Sequence, residues 1–297
     1  MNFDILEFLR SLADFTVFDY ARSVWGDAAW LEVVLDVVGV LVVSTFALLI
    51  VFVLGWSERK ILARIQDRIG PNRVGGRYGL LQMVADVVKM MTKEVIIPSG
   101  ADLVAYLSAP ALAVMTSLLL FAVLPFAPGV IGVDLNVGVF YVLAVSSVSV
   151  VAILLAGWGS NNKYALLGAF RGVAQLVSYE VPMIIALLVP ILLARSMSTV
   201  SLVEAQDIPF LFFVPLSALV FFVAALAETG RTPFDLLEAE SEIVAGFHTE
   251  YSGMNFGLFM AAEYISALFM SALFVTAYLG GYRFFGLESV VLANGFE

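Results

Sequence analysis

The chain has 297 residues, 61% hydrophobic and 13% charged, with mean hydropathy +0.99 and a formal net charge of −10. Soluble domains average nearer ~45–50% apolar and ~25% charged, so these values exclude a water-soluble globule, a disordered chain and a nucleic-acid binder. With no cysteine and one histidine, the chain has no thiolates for an iron–sulfur cluster or for a Cys-based zinc site.

Residues 1–30 lack the basic start of a secretory signal and carry Asp4, Glu7, Asp14 and Asp19. Ile5, Leu6, Leu9, Leu12 and Ala13 share a helical face, which predicts a short interfacial or partner-facing helix. The first apolar run, Val33 to Trp56, is broken only by Asp36, Ser44 and Thr45 and predicts a membrane crossing. Residues 57–100 then form a long basic loop. Within it Ile61, Leu62, Ile65 and Ile69 recur at helical spacing opposite Arg64, Asp67 and Arg68, predicting an amphipathic helix at the membrane surface that Gly70-Pro71-Asn72 ends. Leu80, Leu81, Val84, Val87, Val88 and Met91 oppose Gln82, Asp86, Lys89 and Lys93 and predict a second amphipathic helix. The glycines of GPNRVGGRYG lack the Gly-Lys-Ser/Thr ending and flanking strand of a phosphate loop. Met83, Met90 and Met91 read as packing residues.

Further crossings are predicted over Leu103–Leu124, Val137–Trp158, Tyr164–Leu193, Phe210–Ala227 and Met254–Tyr282. The fourth is about 30 residues long and contains Pro182 and Pro190, so a tilted or kinked helix is expected. The sequence thus reads as an all-α integral membrane protein of about six crossings, a single polytopic domain over 1–297 with amphipathic helices in its first loop. Eight of the fifteen Lys and Arg fall in residues 57–100. The positive-inside rule places that loop in the cytoplasm, with 157–163 and 228–253 on the same side and the N-terminus outside.

Residues 228–253 carry Glu228, Asp235, Glu238, Glu240, Glu242 and Glu250 against one cation, Arg231. Two readings stand side by side: a solvated acidic loop, or a cavity-lining carboxylate cluster that takes up protons. Glu180 and Glu263 lie within crossings and Glu228 ends another. An ionised carboxylate at mid-membrane costs about 2.5–3.5 kcal/mol on insertion scales, so these three are candidates for a proton relay facing a wet interior. Asp36 and Arg171 lie nearer span ends and read as structural. His248 reads as a surface or loop histidine rather than a ligand.

Three stretches carry a resemblance. WSERKILARIQDRIGPNRVGGRYGLLQMVADVVKMMTKEVIIP, GWGSNNKYALLGAFRGVAQLVSYE and AETGRTPFDLLEAESEIVAGFHTEYSG resemble the three cytoplasmic signatures of the H-subunit of proton-translocating NADH–quinone oxidoreductase, the subunit-one family of respiratory complex I. The likeness covers about Trp56 to Tyr282. It implies a membrane subunit that forms the quinone chamber and starts the proton-coupling relay at the junction with the peripheral arm. On the positions that match, Glu58, Arg59, Asp86, Glu94, Arg231, Phe234 and Asp235 line the chamber, and the helix Ile61–Ile69 frames its opening. Glu180, Glu228, Glu238, Glu240 and Glu263 match the relay.

The resemblance also implies quinone as substrate and no redox centre, metal or cofactor held by this chain alone. FMN and iron–sulfur clusters belong to partner subunits. Partners are the peripheral-arm iron–sulfur and quinone-site subunits, small membrane-arm subunits and the lipid bilayer, in a bacterial plasma (inner) membrane. Two positions depart from the family pattern, GFH for GFN and ETGR for ETNR, and the family continues with two further crossings, eight in all. Two other readings compete. One is the homologous anchor of a membrane-bound hydrogenase or of a ferredoxin- or deazaflavin-dependent dehydrogenase. The other is a standalone proton-coupled transporter, which often shows internal repeats; none is visible here.

Overall fold

The computed structural model describes residues 29–237 and 240–283. The candidate helix near Leu6 and the relay residue Glu238 lie outside the described residues, as do the side chains of Asp36 and Glu240. Among the described residues every regular element is a helix, apart from an isolated bridge, Ala127 to Val130. The chain divides into two compact units, Met1–Ala47 and Leu48–Glu297.

Helix α1 (Ala29–Ile65) begins in the first unit, where its described part is almost wholly apolar, and continues into the second. The second unit adds α2 (Gln82–Thr92), α3 (Leu103–Leu119, extended by a 3-10 turn to Val123), α4 (Gly138–Gly159) and α5 (Lys163–Ala194). There follow α6 (Thr199–Glu204), α7 (Phe210–Phe213), α8 (Pro215–Glu228), α9 (Glu240–Ile243) and α10 (Gly253–Tyr278). Five helices are long and apolar enough to cross a membrane, and α8 is a shorter apolar helix. The all-α, multi-pass membrane architecture expected from the sequence is therefore present.

Two local expectations are corrected. The first amphipathic stretch is not a separate surface helix: α1 runs on without a break to Ile65 and ends in a turn at Gln66–Arg68. The fifth crossing is not one helix from Phe210, because the chain leaves helical geometry at Val214 (φ −133°, ψ 57°) and restarts with Pro215 at the first helical position, where a missing N–H costs nothing. The fourth crossing is one helix of 32 residues that contains Pro182 and Pro190, about 48 Å at 1.5 Å per residue; being longer than a ~30 Å hydrocarbon core, it suits the tilted or kinked helix expected.

A proline inside a helix frees the carbonyl four residues earlier, and in lipid that oxygen needs a protein donor. Pro190 frees the carbonyl of Ala186, which accepts from Ser217 Oγ of α8 and Tyr278 Oη of α10, both at 2.8 Å. Pro110 in α3 frees the carbonyl of Tyr106, which accepts from Tyr251 Oη at 3.0 Å. Pro190 thus marks a cross-link among α5, α8 and α10, and Pro110 one between α3 and the segment that precedes α10. The starts are capped by side chains: Asp102 accepts from Val104 N and Ala105 N, and Asn162 from Tyr164 N.

The packed centre joins α3 with α4 and α10, and α5 with α4 and α8. Leu237, Phe247 and Tyr251 of the acidic loop form a largely aromatic core with Tyr106 of α3 and Phe259 of α10. Tyr106 and Tyr251 stack at 4.2 Å, and Phe259 meets Tyr251 edge-on at 4.9 Å. Small residues of α5 receive the loop. A Cβ on Gly168 would lie 2.8 Å from the backbone of Gly246, and one on Gly172 would lie 2.4 Å from Leu237. Gly246 is backbone and cannot rotate away. Gly168→Val is therefore expected to destabilise the protein by roughly 1–3 kcal/mol, the usual range for overpacking, and to expose residues 228–253 to protease in detergent. Wild-type protection of that segment in the variant would contradict this packing.

Candidate functional site: a carboxylate cluster around Arg231

The site begins where α8 stops. Arg231 N donates to Leu226 O and Gly230 N to Ala227 O, with Gly230 at φ +63°, which is the Schellman ending of a helix. That turn delivers Arg231 back towards the C-terminal part of α1 and the N-terminal half of α10. The left-handed position is one that Gly and Asn both adopt readily, so the ETGR departure from ETNR preserves the turn.

Arg231 Nη1 lies 3.5 Å from Glu58 Oε1 of α1, and Nε lies 3.4 Å from Glu263 Oε1 of α10. Its guanidinium sits 4.5 Å from the ring centroid of Tyr264, a cation–π distance. Tyr264 Oη donates to the second oxygen of Glu58 at 2.7 Å. Arg231 is about half-buried. Burial works against its charge, but Glu263, Glu58 and Tyr264 outweigh that cost and hold the guanidinium pKa above its usual value. The result is one fixed cation between two acidic side chains.

The neighbouring residue turns the other way. Arg59 pairs with Asp86 of α2, and Gln82 Nε2 donates to Asp86 Oδ1 at 3.2 Å. Glu58 and Arg59 therefore tie the end of α1 to two different partners. Met83 of α2 packs over Gly55 and Met90 against Gly257 of α10, so both methionines pack as expected. Met91 does not, being 68% exposed.

On the other side, α5 presents Gly168, Gly172, Gln175 and Tyr179 to the loop at helical spacing. Gln175 Nε2 donates to Ala227 O at 2.7 Å and to Phe234 O at 2.8 Å. Phe234 meets Tyr179 edge-on at 5.0 Å. Arg171 pairs with Glu242 at 2.5 Å, which ties α5 to α9. Glu228 ends α8 with Oε2 buried and without a hydrogen-bond partner, as is Gln175 Oε1. Glu228 also feels the charge of Glu180, on α5.

Of the residues singled out in the sequence, Glu58, Arg231 and Glu263 come together directly, and Arg59 with Asp86 adjoins them. Phe234, Glu180 and Glu228 lie along α5 and α8. Asp235 is exposed, as is Glu94 beyond the end of α2, and Glu240 opens α9. Tyr264, Gln175 and Tyr179 were missed. Gln175 had a signal, being an uncharged polar residue inside an apolar crossing.

His248 is corrected. It is buried at 8% exposure rather than lying at the surface, with Phe247 and Phe256 edge-on to it at 5.0 and 5.2 Å. Its Nδ1 has no partner among the described residues. Burial pushes the imidazole pKa down to about 4 from 6.5, with Asp235 pulling partly back. The unfolded chain then takes up a proton that the folded one refuses. The contribution is fully present above pH 6.5 and falls as pH drops towards 4. Between pH 7.5 and pH 5 a loss of about 2 kcal/mol is expected. Thermal unfolding in detergent should show this loss in the wild type and a smaller one in His248→Asn. Equal acid sensitivity of the two proteins would assign it elsewhere.

Residues 38–294 match the family described as NADH dehydrogenase. The chain is 53% identical over 238 residues to the NADH-quinone oxidoreductase H-subunit of Dehalococcoides mccartyi (strain CBDB1), covering 80% of this chain and 67% of that protein. Over 228 residues it is 51% identical to the corresponding H-subunit of Geobacillus kaustophilus, covering 76% and 68%. It is 46% identical over 252 residues to H-subunit 2 of the Syntrophobacter fumaroxidans oxidoreductase, covering 82% and 76%. With a family match over most of its length and relatives at about half identity, the chain belongs to the NADH dehydrogenase family, alongside the H-subunits of NADH-quinone oxidoreductases.

Proposed function

We propose that the chain is the membrane subunit of a proton-translocating NADH–quinone oxidoreductase in which residues around Arg231 line the quinone chamber and Glu228 and Glu180 start the proton relay. The observation that carries the reading is the Arg231 cluster. A guanidinium and a phenol, both hydrogen-bond donors, stand with two carboxylates at the basic end of the helix bundle. Two-electron reduction of a quinone needs two protons at its oxygens. Electrons come from an iron–sulfur centre in a peripheral-arm subunit, because a chain with no cysteine has no thiolates for one. This chain supplies donors and proton-carrying groups.

Glu58 and Glu263 share one cation through two different nitrogens of Arg231, so a change of charge beside either is felt across the cluster. Glu228, half enclosed and unpaired at Oε2, is placed to respond through Glu180. The subunit sits in the bacterial plasma membrane with loops 57–100 and 228–253 in the cytoplasm, facing the peripheral arm. The test is gene deletion followed by NADH-driven, inhibitor-sensitive quinone reduction and acidification in inverted membrane vesicles. Both activities are expected to vanish and to return with the intact gene. Survival of NADH–quinone turnover, with no second such enzyme present, would assign the chain to another electron donor.

A further inference from the structure

At the cytoplasmic end of α1 a cavity of about 570 Å³ opens, lined by Trp56, Lys60, Arg64, Asp67, Arg68 and Tyr78 among others. Trp56 Nε1 donates to Tyr78 O at 3.0 Å, which fixes the aromatic wall. Lys60 Nζ donates to the carbonyl of Pro71 and Arg68 Nε to Gln66, so these two cations are held in place. Arg64 makes no hydrogen bond or ion pair among the described residues, and its planar donor fork matches a phosphate.

Three cations against one carboxylate give the cavity a net positive charge. Its position adds a second observation. The cavity lies where the apolar run of α1 gives way to basic sequence, the level of lipid headgroups. Ile61 and Ile65, on the helical stripe beside Lys60 and Arg64, are 59% and 73% exposed, and Ile69 at the cavity edge is 79% exposed. A free anion has no use for exposed isoleucines. A lipid has, because its acyl chains lie against them while its phosphate enters the basic cavity.

We propose that this cavity is a binding site for the phosphate headgroup of an anionic phospholipid of the cytoplasmic leaflet. The site rests on the membrane position of α1 and holds whether or not the quinone reading does. Basic pockets on the cytoplasmic side of membrane helices recruit anionic headgroups with about fivefold gain in affinity per Lys or Arg.

The test reconstitutes the intact complex containing this chain into phosphatidylcholine vesicles doped with a photoactivatable phosphatidylglycerol, and maps the cross-links. Wild type is expected to label at the segment 56–78. Arg64→Gln should lower that labelling about fivefold, Arg64→Lys should recover most of it, and Arg77→Gln, on the same loop, should leave it unchanged. Inorganic phosphate should not displace the lipid. Equal labelling by a neutral phosphatidylcholine probe would overturn the proposal, as would an equal loss in Arg77→Gln or no loss in Arg64→Gln. Displacement by inorganic phosphate would overturn it too, making the cavity a free-anion site instead.

Discussion

Arg231→Gln is expected to lower NADH-driven quinone reduction in membrane vesicles by at least about tenfold while the subunit still assembles. The substitution removes the cation between Glu58 and Glu263 at distances of 3.5 and 3.4 Å, together with the cation–π contact to Tyr264. Interactions with charged groups are worth about 1.5–3 kcal/mol each, and about 1.4 kcal/mol is tenfold. Part of that is lost to solvent screening, since Arg231 and Glu263 keep 28% and 27% side-chain exposure. Arg231→Lys keeps the charge without the fork that reaches both acids, so an intermediate activity is expected. Tyr264→Phe, which removes only the donor to Glu58, should have a smaller effect than either. Wild-type turnover in Arg231→Gln would remove the cluster from the chemistry.

Glu228→Gln is expected to abolish proton translocation with a smaller effect on folding. The carboxylate is nearly isosteric with the amide, and Oε2 has no hydrogen bond to lose. The amide replaces a buried, unpaired carboxyl oxygen without adding charge beside Glu180, so thermal stability is expected to be unchanged or raised. A relay that passes through this carboxylate fails without a titratable group. Acidification of inverted vesicles should therefore fall far more than the thermal midpoint. If acidification per quinone reduced stays at the wild-type value, Glu228 is structural.

Much of this arrangement is legible in the sequence alone. Apolar length marks the long crossings, and the clustering of Lys and Arg in residues 57–100 sets a side. The rare charges Glu180, Glu228 and Glu263 stand out because the surrounding residues are so uniformly apolar. What the pattern does not encode is whether a helix continues. Ile61, Leu62 and Ile65 have the phase of a new surface helix and equally of the prolonged α1. The first chain-breaking signal, Gly70-Pro71, comes only afterwards. Pro215 did carry its message, as a proline at the start of a helix, but the apolar residues on both sides masked it.

The partnerships were the least legible part. That Tyr251 and Tyr278 serve carbonyls freed by Pro110 and Pro190 depends on residues far apart in the chain. Tyr264 lies next to Glu263 in sequence, yet its link is to Glu58, 206 positions away. His248 shows the same gap: its polar character suits a loop surface, and only the packing of Phe247 and Phe256 buries it.

The most direct test of the central claim is covalent labelling of the intact complex in native membranes with a photoreactive quinone analogue, followed by peptide mapping of this chain. Adducts are expected on the C-terminal end of α1 around Glu58 and on the segment 231–237, competed away by quinone and weakened in Arg231→Gln. Adducts confined to other subunits, in an enzyme that still turns over the analogue, would contradict it.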